Sequence, residues 1–277
     1  MSEVIRKIGE YAIEEIYPSV YAIDTDGDES MYLVCGKEKA LLIDTGSSTQ
    51  PLAPVIGALW PDGPVELVLT HAHFDHMYHA DAYTAVSLHE KEAAAWRKVL
   101  RPVVWISTLG TGKRPKCYPV NTWQTLREGD TISLGGKELC VIDAPGHTPG
   151  SMILVDEADR LLFTGDAFGS GSYAWMWMPG CSCLSEYQKA LDRLVPKLEP
   201  YESYRMLGGH RRQGVPSALD PDAHTLTLDT VREMRDLCDK ILKGECPPAK
   251  SERNFGFKTV LYRNGLAAMV LSEGKLK

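Results

Sequence analysis

The stretch THAHFDHMYHA, Thr70 to Ala80, places His71, His73, His76 and His79 within eleven residues, half of the eight histidines in the chain. A solvated turn has no need of them. A packed core avoids them, because each buried imidazole must satisfy two ring nitrogens. The run before it, VELVLT (65–70), is short and apolar and reads as a buried strand. The histidines therefore sit on a loop whose base is fixed by a sheet, a common place to mount chemistry. Imidazoles beside Asp75 form a donor set suited to zinc and other first-row divalent ions.

Further donors of the same kind recur along the chain. His147 lies in PGHTPGS after the strand KELCVID. Asp166 lies in FTGDAF after RLLF, and His210 lies in MLGGH after SYRML. Each closes a strand and each has a glycine nearby, which lets the backbone turn sharply. The seven cysteines are scattered and odd in number, with neither disulfide-framework nor metal spacing. His79 is a candidate for a supporting or helix-capping role, and His89 and His224 read as surface residues.

The remaining pattern interleaves strands and helices. SVYAID (19–24), SMYLVCG (30–36) and KALLID (39–44) read as strands, and PLAPVIGALW (51–60) as a helix. LHEKEAAAWRKVL (88–100), LSEYQKALDRLVPKL (184–198, with Ser185 as N-cap) and 220–244 (with Gly244 past its end) read as helices. Hairpins are expected around Gly135-Gly136, over 151–166, and around Asn264-Gly265. This alternation predicts an α/β chain of a single domain over 1–277, with a lid insertion at 101–123 and a C-terminal helix-hairpin at 220–272.

The net charge of −7 argues against an extended nucleic-acid surface. No apolar run has the length of a membrane span, and the N-terminus lacks the h-region of a signal peptide. The expected location is cytoplasmic, the expected partner a small-molecule substrate. Nucleic acid and membrane are not expected partners; a homodimer is an open expectation.

HAHFDH, followed by the histidine of GHTPGS, the aspartate of FTGD and the histidine of GGH, resembles the metallo-β-lactamase-fold superfamily. LLIDTG (41–46), with Asp44, resembles its early strand-turn. The resemblance implies a four-layer αββα sandwich and two divalent ions, zinc first, with iron or manganese as alternatives. His71, His73 and His147 would hold one ion, and Asp75, His76 and His210 the other. Asp166 would bridge them, and Asp44 would orient a ligand from behind. His73 stands where the oxygen-reducing di-iron branch has glutamate.

Two ions roughly 3.5–4 Å apart can share a bridging hydroxide at neutral pH. Asp75 and Asp166 are the candidate catalytic carboxylates, Asp75 also as a proton carrier. The expected activity is hydrolysis of a small ester, thioester or lactone. Phosphodiester hydrolysis at the same site is an alternative. So is a mononuclear iron dioxygenase of the persulfide dioxygenase type, which needs only three histidines. Tyr173, Trp175 and Trp177, with Arg211 after His210, are candidate substrate contacts, with core packing or a subunit contact as the competing reading for the aromatics.

Overall fold

The fold is taken from a computed structural model, which describes residues 6–25, 29–96, 101–113, 118, 123–169, 173–210, 225–254 and 256–276. Arg211, Arg212, Cys117 and His224 lie outside these residues, as do parts of the 101–123 and 220–244 segments. The chain forms two compact units. The first comprises Met1–Val141 and Leu154–Asp159, the second Ile142–Ile153 and Arg160–Lys277.

The first unit is built on an eight-stranded sheet whose strands follow chain order. They are β1 (Arg6–Ile8), β2 (Tyr11–Tyr17), β3 (Val20–Asp24), β4 (Ser30–Cys35), β5 (Ala40–Ile43), β6 (Val65–Val68), β7 (Val86–His89) and β8 (Trp123–Leu126). β1 to β5 form an antiparallel meander, and β5 to β8 run parallel. Every residue of β4 and β5 is buried, as expected of central strands rich in aliphatic residues. Ile23, Met31, Leu33, Leu42 and Leu67 pack with Val55, Met77, Val86 and Leu88 in one core. Val55 belongs to α1 (Ala53–Leu59) and Met77 to α2 (Phe74–Met77).

A five-stranded sheet has the order β14 (Arg205–Gly208), β12 (Leu161–Gly165), β11 (Met152–Asp156), β10 (Glu138–Asp143) and β9 (Thr131–Ser133). The second unit also holds a four-stranded sheet, ordered β13 (Ala174–Trp175), β17 (Ala267–Ser272), β16 (Phe257–Asn264) and β15 (Lys250–Asn254). It holds two long helices, α5 (Leu184–Leu198) and α6 (Leu228–Leu242). α5 buries Leu184, Tyr187, Leu191, Leu194 and Leu198, and α6 buries Leu228, Val231, Met234, Leu237 and Ile241. Both sets follow the three-and-four spacing of an amphipathic helix. Among the described residues no helix is long and apolar enough to cross a membrane.

Several sequence expectations need correction. The helix expected over 88–100 begins later: Leu88 and His89 close β7, and α3 covers Glu90–Ala95. His89 is 2 % exposed, and its Nδ1 accepts the Lys91 N–H at 3.2 Å, so it caps α3 from within the structure instead of standing on the surface. The 101–123 segment is not all loop, because Arg101–Gly110 forms α4. Its proline lies in the first turn and its glycine at the end, positions a helix tolerates. Ser185 is not the cap of α5. The helix opens at Leu184, and Glu186 Oε2 reaches back to the Cys183 N–H at 3.1 Å. α6 starts at Leu228, after Thr227, which accepts the Thr230 N–H at 3.4 Å. In the last hairpin Asn264 pairs with Ala267, so the loop is Gly265-Leu266. Only Gly265 there has positive φ, which fits a II′ turn and not the type I′ turn that an Asn-Gly pair signals.

Candidate metal centre

In the first unit, β6 ends at Val68 and delivers His71, His73, Asp75 and His76. All three imidazoles are buried, with Asp75 partly exposed. The ring centroids of His71 and His73 lie 4.8 Å apart, and those of His71 and His76 4.2 Å apart. His76 Nε2 lies 3.8 Å from Asp75 Oδ2.

One buried carboxylate organises this loop. Asp44 closes β5 with φ at 61°, a left-handed conformation that aspartate tolerates better than most residues. Its Oδ1 accepts the Thr70 N–H at 2.8 Å. Its Oδ2 accepts the Thr70 hydroxyl at 2.7 Å and the His76 Nδ1–H at 2.9 Å. Since the Thr70 hydroxyl spends its one proton on Asp44, it accepts from His71 Nδ1, 3.1 Å away. The network thus places the protons of His71 and His76 on Nδ1 and leaves Nε2 in each ring as the basic nitrogen, the tautomer of a metal-ligating histidine.

Two further residues brace the loop, and the first has no signal in the sequence pattern. Glu92, fully buried in α3, accepts the Ala72 N–H at 3.0 Å, the amide between His71 and His73. His79 is the other brace: its Nε2 donates to the Ser48 carbonyl at 2.9 Å, and its backbone N–H donates to Thr45 Oγ1 at 3.0 Å.

In the second unit, β12 and β14 are parallel neighbours, with Gly165 opposite Gly208. Asp166 and His210 follow those two strands and so emerge side by side. His210 Nε2 lies 3.4 Å from Asp166 Oδ2. His147, on the loop after β10, brings its Nε2 to 3.6 Å from the same oxygen. Its Nδ1–H donates to the Trp175 carbonyl at 3.0 Å, which again leaves Nε2 as the basic nitrogen.

Tyr187 wedges this half in place. A Cβ on Gly146 would stand 2.2 Å from the Tyr187 ring, so only glycine fits there. The Tyr187 hydroxyl donates to the Ala167 carbonyl at 2.7 Å, next to Asp166. Burial pushes the Tyr187 phenol well above its ordinary pKa, so it serves as a neutral donor. Burial likewise pushes the Cys181 thiol up to about 12, which leaves it no thiolate character.

The candidate aromatic wall is partly core. Trp177 is buried with Leu261, Ala268 and Val270, and Tyr173, Trp175 and Met178 pack on that cluster half-buried. The guanidinium of Arg263 lies 5.4 Å from the Tyr173 ring centre. Trp175 acts on the site through its backbone, as the acceptor for His147.

In each unit, then, imidazoles lie close to a carboxylate, with Nε2 of His71, His76 and His147 left basic, a donor chemistry that fits first-row divalent ions. Residues 24–242 match the metallo-beta-lactamase superfamily. The chain is 33 % identical over 200 residues to the acyl-coenzyme A thioesterase MBLAC2 of Gallus gallus, spanning 65 % of this chain and 72 % of that one. A metallo-beta-lactamase family protein of Thermus thermophilus, TTHA1429, superposes with a TM-score of 0.57 at 20 % identity, over 83 % of this chain and 82 % of its own. TTHA1623, solved in a di-iron-bound form, gives 0.51 at 27 % identity over 66 % of this chain and 87 % of its own. With the match running from β3 to the end of α6, and the motif histidines seated at strand ends, the chain belongs to the metallo-beta-lactamase superfamily and is one of its hydrolases.

Proposed function

We propose that the chain is a metal-dependent hydrolase of small-molecule acyl thioesters. His71, His73 and His147 would hold one divalent ion, and Asp75, His76 and His210 the other. Asp166 is common to both. The observation that carries this reading is the set of fixed tautomers: Nδ1 of His71, His76 and His147 is spent on Thr70, Asp44 and the Trp175 carbonyl. The approach of His147 and His210 to one oxygen of Asp166 supports a shared role for that carboxylate.

Two bound divalent ions supply a nucleophilic hydroxide at neutral pH and an electrophile for the acyl oxygen. The chain's own residues hold the geometry. Asp44 and Thr70 keep two ligand rings oriented, and Glu92 pins the amide between two ligands. Asp75, the more exposed of the two carboxylates, is the group placed to carry a proton toward the leaving thiol. Tyr173, Trp175 and Arg211 are assigned to the substrate, and Trp177 backs the two aromatic residues from the core.

The thioester is preferred to ester or lactone because the acyl-coenzyme A thioesterase MBLAC2 proteins of Gallus gallus and Homo sapiens are relatives at 33 % and 31 % identity. Zinc is the metal assigned first. The di-iron form of TTHA1623 favours iron as the alternative.

Metal content and turnover test the reading together. About two equivalents of metal per chain are expected, with hydrolysis of acyl thioesters that His71→Ala abolishes. One equivalent of iron with oxygen uptake on sulfur substrates would replace this reading by the mononuclear oxygenase. Turnover of phosphodiesters alone would move the substrate class.

A further inference from the structure

The exposed side of α4 is apolar at helical spacing. Pro102, Trp105, Ile106 and Leu109 stand at i, i+3, i+4 and i+7, one continuous stripe. Trp105 is 47 % exposed, Ile106 71 % and Leu109 56 %, while Val104 and Thr108 on another side of the helix are buried. A surface helix ordinarily turns such a stripe inward. Here the inward side is already taken, because Val104 belongs to the buried core of the first unit. Three of the seven large exposed hydrophobics among the described residues lie on these ten residues.

Charge is distributed to match. The sequence from Ala93 to Arg127 carries seven of the chain's 30 basic residues and none of its 37 acidic ones. Arg101 opens the helix and is exposed, whereas Lys113, three residues past its end, is turned inward onto the Ser47 carbonyl and hydroxyl. In a chain of net charge −7, this is a local inversion of sign.

We propose that the outer face of α4 docks on an anionic lipid bilayer surface, with Trp105, Ile106 and Leu109 entering the interface, Arg101 facing the headgroups, and the basic character of this stretch of sequence favouring an anionic surface. A tryptophan-bearing apolar stripe beside a cation is the pattern of a helix lying in the plane of a membrane. The alternatives fit less well. A second copy on the same face would bring two such basic stretches together. A nucleic acid would meet the charge and leave the apolar stripe in water. The absence of a spanning segment bears on crossing a bilayer, not on resting against one. The proposal concerns a surface apart from the ligand set, and its test uses no turnover.

The test is co-sedimentation of the full chain with vesicles of phosphatidylcholine alone, and with phosphatidylserine as about a third of the lipid. Binding is expected to the serine-containing vesicles, weaker to the neutral ones, and to fall as salt rises. The triple variant Trp105→Gln, Ile106→Gln, Leu109→Gln keeps good helix formers. It is expected to bind about tenfold more weakly or worse, with circular dichroism unchanged. Arg101→Glu tests the same face with one surface substitution and is expected to weaken binding to charged vesicles more than to neutral ones. Failure of the wild type to sediment with charged vesicles overturns the proposal, as does equal binding by a folded triple variant or by Arg101→Glu. A concentration-dependent dimer that the triple variant abolishes would assign the face to a second copy and overturn it as well.

Discussion

Asp44 Oδ2 accepts the His76 Nδ1–H at 2.9 Å, and both side chains are almost wholly buried, at 2 % and 1 % exposure. The same oxygen accepts the Thr70 hydroxyl. A carboxylate only accepts, so it forces both protons toward itself. An asparagine in its place carries one donor group and meets at least one of these partners with the wrong polarity. Asp44→Asn is therefore expected to keep the fold, lower metal affinity about 10–100-fold and lower kcat/KM with it. Competition with a chromogenic chelator measures the first quantity directly. Unchanged affinity would mean that His76 holds its orientation without Asp44. Thr70→Val removes the relay to His71 but leaves the carboxylate, and a smaller loss is expected.

Gly146 and Tyr187 give a prediction about packing. The 2.2 Å approach of a Cβ to the Tyr187 ring cannot be relieved by a flexible side-chain end, because the neighbour is an aromatic ring held by its hydroxyl. Gly146→Ala is expected to cost about 1–3 kcal/mol, in the range of an overpacked core. Since Gly146 precedes His147, metal affinity should fall with stability. Tyr187→Leu in the same chain opens the space, and a thermal melt of the double variant should recover part of the loss. If Gly146→Ala melts at the wild-type temperature, the wedge is not tight.

The proposed ligand residues are legible in the sequence because their signals are local. Each is a metal-binding residue type following a strand that reads as an apolar run, and His147, Asp166 and His210 also have glycine nearby. The bracing residues carry no such signal. Glu92 acts on a backbone amide 20 residues away, and nothing in EKEAAA distinguishes it from Glu90, which pairs with Arg127 at the surface. Tyr187 looks like one more apolar position of α5. The place of His89 is hidden because the strand residues Val86 and Leu88 and the helix that follows share an unbroken run of apolar and helix-forming residues. The boundary is set by a backbone conformation at His89 that its imidazole then caps. α4 is hidden for the opposite reason: a proline and glycines that punctuate loops also fit the two ends of a helix.

Asp156 predicts a pH dependence. It is fully buried; its Oδ1 accepts the Asp159 N–H at 3.1 Å, and Lys137 Nζ lies 3.5 Å from Oδ2. Burial raises its pKa above the ordinary carboxylate value, against the opposing pull of that N–H and Lys137. The folded chain then holds a proton that the unfolded chain has released. Its contribution is fully present below the unfolded pKa and is lost as pH rises through the folded one. Asp156→Asn has no such proton to lose and keeps an acceptor for Asp159. Its melting temperature relative to wild type should rise by about 2 °C or more between acid and neutral pH. A difference that stays flat across that range would show that Lys137 fully compensates the burial.

The last prediction concerns Glu92, whose buried carboxylate fixes the Ala72 amide between His71 and His73. Removing it leaves that N–H buried without its acceptor, at a cost of about 1–3 kcal/mol. Glu92→Gln keeps a carbonyl oxygen at the same reach, whereas Glu92→Ala does not. If Glu92 positions the loop, the alanine variant loses metal affinity and kcat while KM for the thioester stays near wild type, and the glutamine variant recovers much of both. If Glu92 only fills space, the two variants lose thermal stability in proportion to volume and bind metal alike. Chelator competition on the two purified variants separates these outcomes, because the readout is the affinity of the ligand set and not the turnover that depends on it.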